Sequence, residues 1–134
     1  MNKLIFIFLI GVLFCACNKD SDYTNKTIIL GESVNVKLNE TVTDHTSYLR
    51  LRLDAVVDSR CPINAECLTS GNAEVTFTFF VNGNPSVFTL NTTIGAKETY
   101  VNGYKITLLE LLPFPGSSDY SLENLYAVVT IEKV

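Results

Sequence analysis

Four cysteines, a single histidine and one Arg-Cys-Pro step are the residues of this chain whose types and spacing bear on chemistry. Cys61 and Cys67 are separated by five residues within Asp58-Ser59-Arg60-Cys61-Pro62-Ile63-Asn64-Ala65-Glu66-Cys67-Leu68-Thr69-Ser70-Gly71, so a disulfide between them would close a small, stiff loop. A redox pair usually keeps two residues between its thiols. A zinc site would need two further ligands, and His45 is the one imidazole on offer. His45 lies in the polar run Thr43-Asp44-His45-Thr46-Ser47, which reads as a surface turn and not as the base of a nucleophile. Asp54, Asp58 and Glu66 lack the regular oxygen spacing of a calcium loop, and no glycine loop of the phosphate-cradling kind occurs. The sequence therefore implies no enzyme, no metal and no cofactor. Arg60 is a candidate of another kind. Ahead of Cys61-Pro62 on a stiffened loop, it would offer a substrate-like segment to a trypsin-like protease at low entropic cost. Arg60, Pro62 and Glu66 are thus candidate binding-loop residues, although Arg60 can equally pair with Asp58 or Glu66.

The amino-terminal cysteines point to export. Basic Lys3 precedes an unbroken apolar run from Leu4 to Phe14 and then Cys15-Ala16-Cys17, the pattern of a signal peptide. As a helix that run would reach about 16 Å, about half of the roughly 30 Å hydrocarbon core, so it is too short for a membrane span. The segment resembles the lipobox of bacterial lipoproteins, in which a small residue precedes the lipidated cysteine. Ala16-Cys17 fits it, whereas Cys15 follows bulky Phe14. The resemblance implies a signal peptide of residues 1–16, with Cys17 acylated as the new amino terminus. The other reading is an ordinary secretory signal cut near the same place. Several acyl chains moor a protein almost permanently, since each buried methylene contributes about 0.8 kcal/mol. Residues 17–26 are polar throughout and read as a tether. Cys17-Asn18-Lys19-Asp20 also resembles the lysine-plus-acid tag that sends some lipoproteins to the outer surface of Gram-negative cells; a solvated linker is the alternative. The expected location is the cell envelope, at the outer membrane and facing outward if the tag is read. With Cys17 used for the anchor, Cys61 and Cys67 remain as an even pair in an oxidising compartment. Their bridge would contribute about 2 kcal/mol.

The remaining stretch, Thr27 to Val134, has the length of one domain. From residue 17 on, ten basic residues less Lys3 leave 9 against 14 acids, a net charge of −5, with no basic cluster. Nucleic acid and anionic membrane surfaces are poor partners for such a chain. Its dominant period is two. Leu49, Leu51 and Leu53 alternate with Arg50, Arg52 and Asp54 in a strand that runs on through Val57. Val75, Phe77, Phe79 and Val81 form the apolar side of its partner, and Asn82-Gly83 supplies a hairpin turn into Val87–Leu90. Pro85 should sit at that strand's start or on an edge. Asn102-Gly103 turns a second hairpin from Thr99–Val101 into Tyr104–Leu112, where the run Leu108-Leu109-Glu110-Leu111-Leu112 predicts a bulge or burial on both faces. Pro113-Phe114-Pro115 ends that element. Leu125 to Val134 is a closing strand with Ala127, Val129 and Ile131 inward, after a single helical turn in Ser121–Leu125. A further turn is predicted beside Pro62, and Thr27–Leu30 is expected to pair with Val34–Leu38 around Gly31. Seven to eight such strands predict an all-β, antiparallel, immunoglobulin-like β-sandwich, with a small barrel as second choice.

The segment Asp58-Ser59-Arg60-Cys61-Pro62, with Cys67, Gly71 and an alternating strand after it, resembles a signature of small, functionally uncharacterised bacterial lipoproteins. Thr69 stands where they commonly carry Trp, and Leu111-Leu112-Pro113-Phe114-Pro115 resembles their ending before a last strand. The resemblance implies an architecture and no activity. The expected function is that of a membrane-anchored, non-catalytic binding or structural module of the envelope, with a protein or glycan ligand. Phe80, Phe114, Tyr120 and Tyr126 are its candidate stacking aromatics. The alternative is a protease inhibitor presenting Arg60-Cys61-Pro62.

Overall fold

Alternation with a period of two puts one side of each strand in a core, and the computed structural model, which describes residues 26–134, assembles those sides face to face. Eight strands form: β1 (Ser33–Lys37), β2 (Thr41–Thr43), β3 (Leu49–Asp58), β4 (Ala73–Val81), β5 (Asn84–Asn91), β6 (Glu98–Val101), β7 (Tyr104–Leu112) and β8 (Tyr126–Lys133). One antiparallel sheet has the order β2-β3-β4-β5 and the other β1-β8-β7-β6, which makes a sandwich and not a closed barrel. Its connectivity is a plain meander, whereas immunoglobulin domains cross between sheets by Greek keys. Leu51, Leu53, Phe77 and Phe79 from one sheet meet Ile106, Leu111, Val129 and Ile131 from the other, all of them buried. Phe79 also meets Tyr104 edge to face across the sheets, with 5.7 Å between ring centroids. Truncating a buried Phe of this kind costs about 3–5 kcal/mol.

Both Asn-Gly turns form where expected. Asn82 and Asn102 take φ of 51° and 48°, and the glycines after them are also at positive φ, the backbone of a tight two-residue hairpin. Pro85 sits second in β5, an edge strand, where its missing N–H removes no ladder bond. The predicted helical turn is a single 3-10 turn, Leu122–Asn124, with the Ser121 side chain accepting from the Asn124 N–H. Beside Pro62 the chain makes a hydrogen-bonded turn, from the Ala65 N–H to the Pro62 carbonyl at 3.1 Å.

Three expectations are corrected. Thr27–Leu30 does not pair with Val34–Leu38. Thr27 makes an isolated parallel bridge to Thr43, and β1 pairs with β8, because β8 supplies the longer apolar side against Val34 and Val36. β2, hidden in a run that reads as polar, buries Val42 and continues the sheet beside β3. The third correction concerns the parity of β3. Leu53 pairs with Phe77 but Ala55 pairs with Thr76, so Asp54 is an inserted residue and the alternation flips after it. Val57 is consequently 62% exposed, while the Asp58 side chain turns inward. β7 carries a matching irregularity between Leu108 and Glu110, which leaves Leu109 outside and buries Leu111. That second bulge is the one that the leucine run announces.

The cysteines are bridged as expected, with 5.9 Å between the Cα atoms of Cys61 and Cys67. The signal segment of residues 1–16, the acylation site Cys17 and the tether as far as residue 25 lie outside the described residues. Lys26, read as the last tether residue, belongs to the folded body: its ammonium is 2.7 Å from the Glu40 carboxylate.

Candidate functional site

A meander brings its long connections to one end. Residues 59–72 join β3 to β4, 92–97 join β5 to β6, and 113–125 join β7 to β8, so all three loops lie at the same end of the sandwich. The β3 bulge decides what happens there. By reversing parity at Asp54, it aims Asp58 and then Arg60 at the top of the core and not at water. Arg60 is 7% exposed, a rare environment for a guanidinium. Its Nε and one terminal nitrogen donate to the two oxygens of Asp58 at 2.8 and 2.7 Å, a bidentate pair. The other terminal nitrogen donates to the Leu111 carbonyl at 2.5 Å, and the one that binds Asp58 also donates to the Pro113 carbonyl at 3.0 Å. The Phe114 ring covers the guanidinium, 4.8 Å from its centroid. Burial alone would push the Asp58 carboxyl up, but the hydrogen bonds and charge of Arg60 hold it below the usual range. The Tyr120 hydroxyl donates to Asp58 at 3.1 Å, and burial, then the nearby carboxylate, raises its pKa.

This cluster fastens the β3–β4 loop to the β7–β8 loop, and the backbone reinforces it. The Ile63 N–H donates to the Pro115 carbonyl at 2.9 Å, and the Cys61 N–H to the Ser70 carbonyl at 2.8 Å. Gly71 lets the two arms of the cysteine loop close. Its φ is +72°, and a Cβ there would overlap the Ser59 carbonyl and stand 2.8 Å from the Arg60 Cα. Gly116 allows a similar approach, since its Cβ would come within 3.1 Å of Pro62. Asn72 fastens the third loop. Its side-chain oxygen accepts from the Thr93 and Ile94 N–H groups at 3.0 and 3.1 Å, and its amide donates to Asn91 at 2.8 Å.

Between the three fastened loops runs a groove of about 340 Å³, walled by Cys61, Ile63, Leu111 and Phe114, with the Asp58-paired Arg60 and Ser70, Thr92, Thr93 and Glu110 along it. That is the small end of the roughly 300–1,000 Å³ typical of ligand pockets. Exposed apolar side chains are spread over the surface, and five of them stand on these loops: Ile63 at 65%, Ile94 at 68%, Phe114 at 42%, Leu122 at 61% and Leu68 fully out on the disulfide loop.

Of the residues predicted as a binding loop, Pro62 is half-buried beside the groove and Glu66 is exposed, but Arg60 faces inward. The feature on which the inhibitor reading rests, an arginine offered to a protease, is absent from the loop surface. Arg60 pairs with Asp58 and not with Glu66. Asp54 accepts from Thr78 at 2.5 Å and pairs with Arg52, so Asp54, Asp58 and Glu66 do not converge. Phe114 is the one candidate aromatic at the groove. Phe80 lies beneath the Arg50 guanidinium at 4.5 Å, Tyr126 is half-buried on β8, and Tyr120 is committed to Asp58. His45 is exposed in the β2–β3 turn, at the opposite end. Sequence reasoning missed Asn72, Ile63, Thr93 and Glu110. Only Ile63, an apolar residue at the tip of a short disulfide loop, carries a local signal. No family model, curated protein or solved structure matches the chain.

Proposed function

We propose that this chain is a lipid-anchored lipoprotein of the cell envelope, moored at the outer membrane through Cys17, and that its β-sandwich is a non-catalytic binding module. The observation that carries the binding role is the loop end itself. Three loops are fastened by Arg60, Asn72, Tyr120 and the disulfide, and they hold exposed Ile63 and Phe114 around a groove. Folding has ordered these loops already, so a ligand would meet walls that need little further ordering. Apolar side chains kept in water at such a place are the usual mark of an interaction surface. The one imidazole of the chain stands at the far end, which favours binding over catalysis. An inhibitor role would need Arg60 at the loop surface, and its guanidinium is buried against Asp58.

Expression of the full chain with an alkyne fatty acid tests the anchor: label is expected in the membrane fraction and is lost in Cys17→Ser. Label that persists in that variant would overturn it. The same membranes, with wild type or Phe114→Ser, test the binding role by cross-linking to envelope proteins and retention on cell-wall glycan. Equal behaviour of the two proteins would count against the groove.

A further inference from the structure

The charges around the groove narrow the ligand. Glu110 lines it, Glu66 stands on the disulfide loop, and Asp119 and Glu123 stand on the β7–β8 loop, all exposed. Among the described residues none of these four acids takes part in an ion pair. Against them the three loops carry two cations. Arg60 is neutralised by Asp58, which leaves Lys97. One unpaired acid, Glu110, thus lines the largely apolar groove, and the loops that frame it carry three more against Lys97. We infer that the groove receives an apolar side chain flanked by lysine or arginine on an extended segment of a partner protein, a proposal that rests on the binding role given above. The apolar side chain would lie between Ile63, the disulfide and Phe114, while its cationic neighbours reach Glu110 and Glu66. Complementary charge of this sort speeds encounter and selects the partner, and the apolar contact supplies most of the affinity.

Two features disfavour a glycan. One face of Phe114 is already covered by Arg60, and the Thr92 hydroxyl is occupied by the Ala73 N–H at 2.9 Å. Anionic lipid headgroups would be repelled by the same four acids.

The test uses the full chain in detergent micelles over an array of random nonapeptides. Each has one fixed apolar position flanked by Lys, Ser or Glu, and muropeptide spots stand beside them. Lys-flanked spots are expected to exceed Glu-flanked spots about tenfold, and that ratio should collapse in Glu110→Gln and at about 0.5 M salt. Ile63→Ser, at an exposed position where the fold is indifferent, should remove the signal. Equal signal on Lys and Glu flanks, indifference to Ile63→Ser, or silent peptide spots would each overturn the inference. Signal confined to the muropeptides would overturn it while leaving the binding role standing, whereas silence everywhere would count against both.

Discussion

The two ends of this sandwich are built by different means. At one end, Asn82-Gly83 and Asn102-Gly103 reverse the chain in two residues each, both at positive φ, and the instruction is entirely local. At the other, the three long loops have no such turn chemistry and are held by side chains that act across them. Arg60 bonds Leu111, 51 residues on, and Tyr120 bonds Asp58, 62 residues back. A two-residue turn leaves little surface on which to recognise anything. Long connections cost more chain entropy, and here a buried ion pair, a disulfide and Asn72 offset that cost and leave a shaped groove.

The sharpest way to break the comparison is Arg60→Ala. It leaves the buried Asp58 carboxylate without its counter-charge, with the Tyr120 hydroxyl and the residue-60 N–H as its remaining donors, and should cost about 3 kcal/mol by urea denaturation. The same pair predicts an acid response. The Asp58 pKa is held below its unfolded value, so its contribution is complete above about pH 4 and is lost as pH falls through the folded-state pKa. Below pH 4, Asp58→Asn should therefore show a flatter loss of stability than wild type. Opening the bridge with Cys61→Ser and Cys67→Ser together should cost about 2 kcal/mol and raise amide exchange at Ile63 before that of the strands. At the other end, Asn102→Ala should cost only about 1 kcal/mol, because it forces alanine into positive φ and gives up one exposed hydrogen bond, from the Asn102 amide to the Ser86 hydroxyl at 3.2 Å. Asn102→Gly should be close to neutral. If Asn102→Ala proves as damaging as Arg60→Ala, the distinction between the two ends fails.

Legibility in the sequence divides along the same line. Strands β3, β4, β7 and β8 are readable because each contains at least three apolar residues in succession at a spacing of two, and the Asn-Gly pairs mark hairpin joints. The β7 bulge is readable because Leu108-Leu109-Glu110-Leu111-Leu112 cannot satisfy one parity. The β3 bulge is not, since Ala55-Val56-Val57 is apolar at every position and fits either parity. The inward aim of Arg60 depends on that hidden insertion, so a charged residue that reads as solvent-facing ends at 7% exposure. Asn72 is equally silent. An asparagine beside a glycine reads as a turn residue, and nothing local tells it to accept from Thr93 and Ile94, on a loop brought near only by the β4–β5 hairpin.

The position of β8 bears on the order in which the sandwich can form. β8 follows every other strand in the sequence, yet it lies between β1 and β7 and gives each of them its ladder. Without residues 126–133 that sheet has no middle: β1 loses its ladder and β7 keeps only the one to β6. Closure of the sandwich would thus wait on the last of its eight strands, and weakening the β8 ladders should loosen β1 before it loosens the β2–β5 sheet.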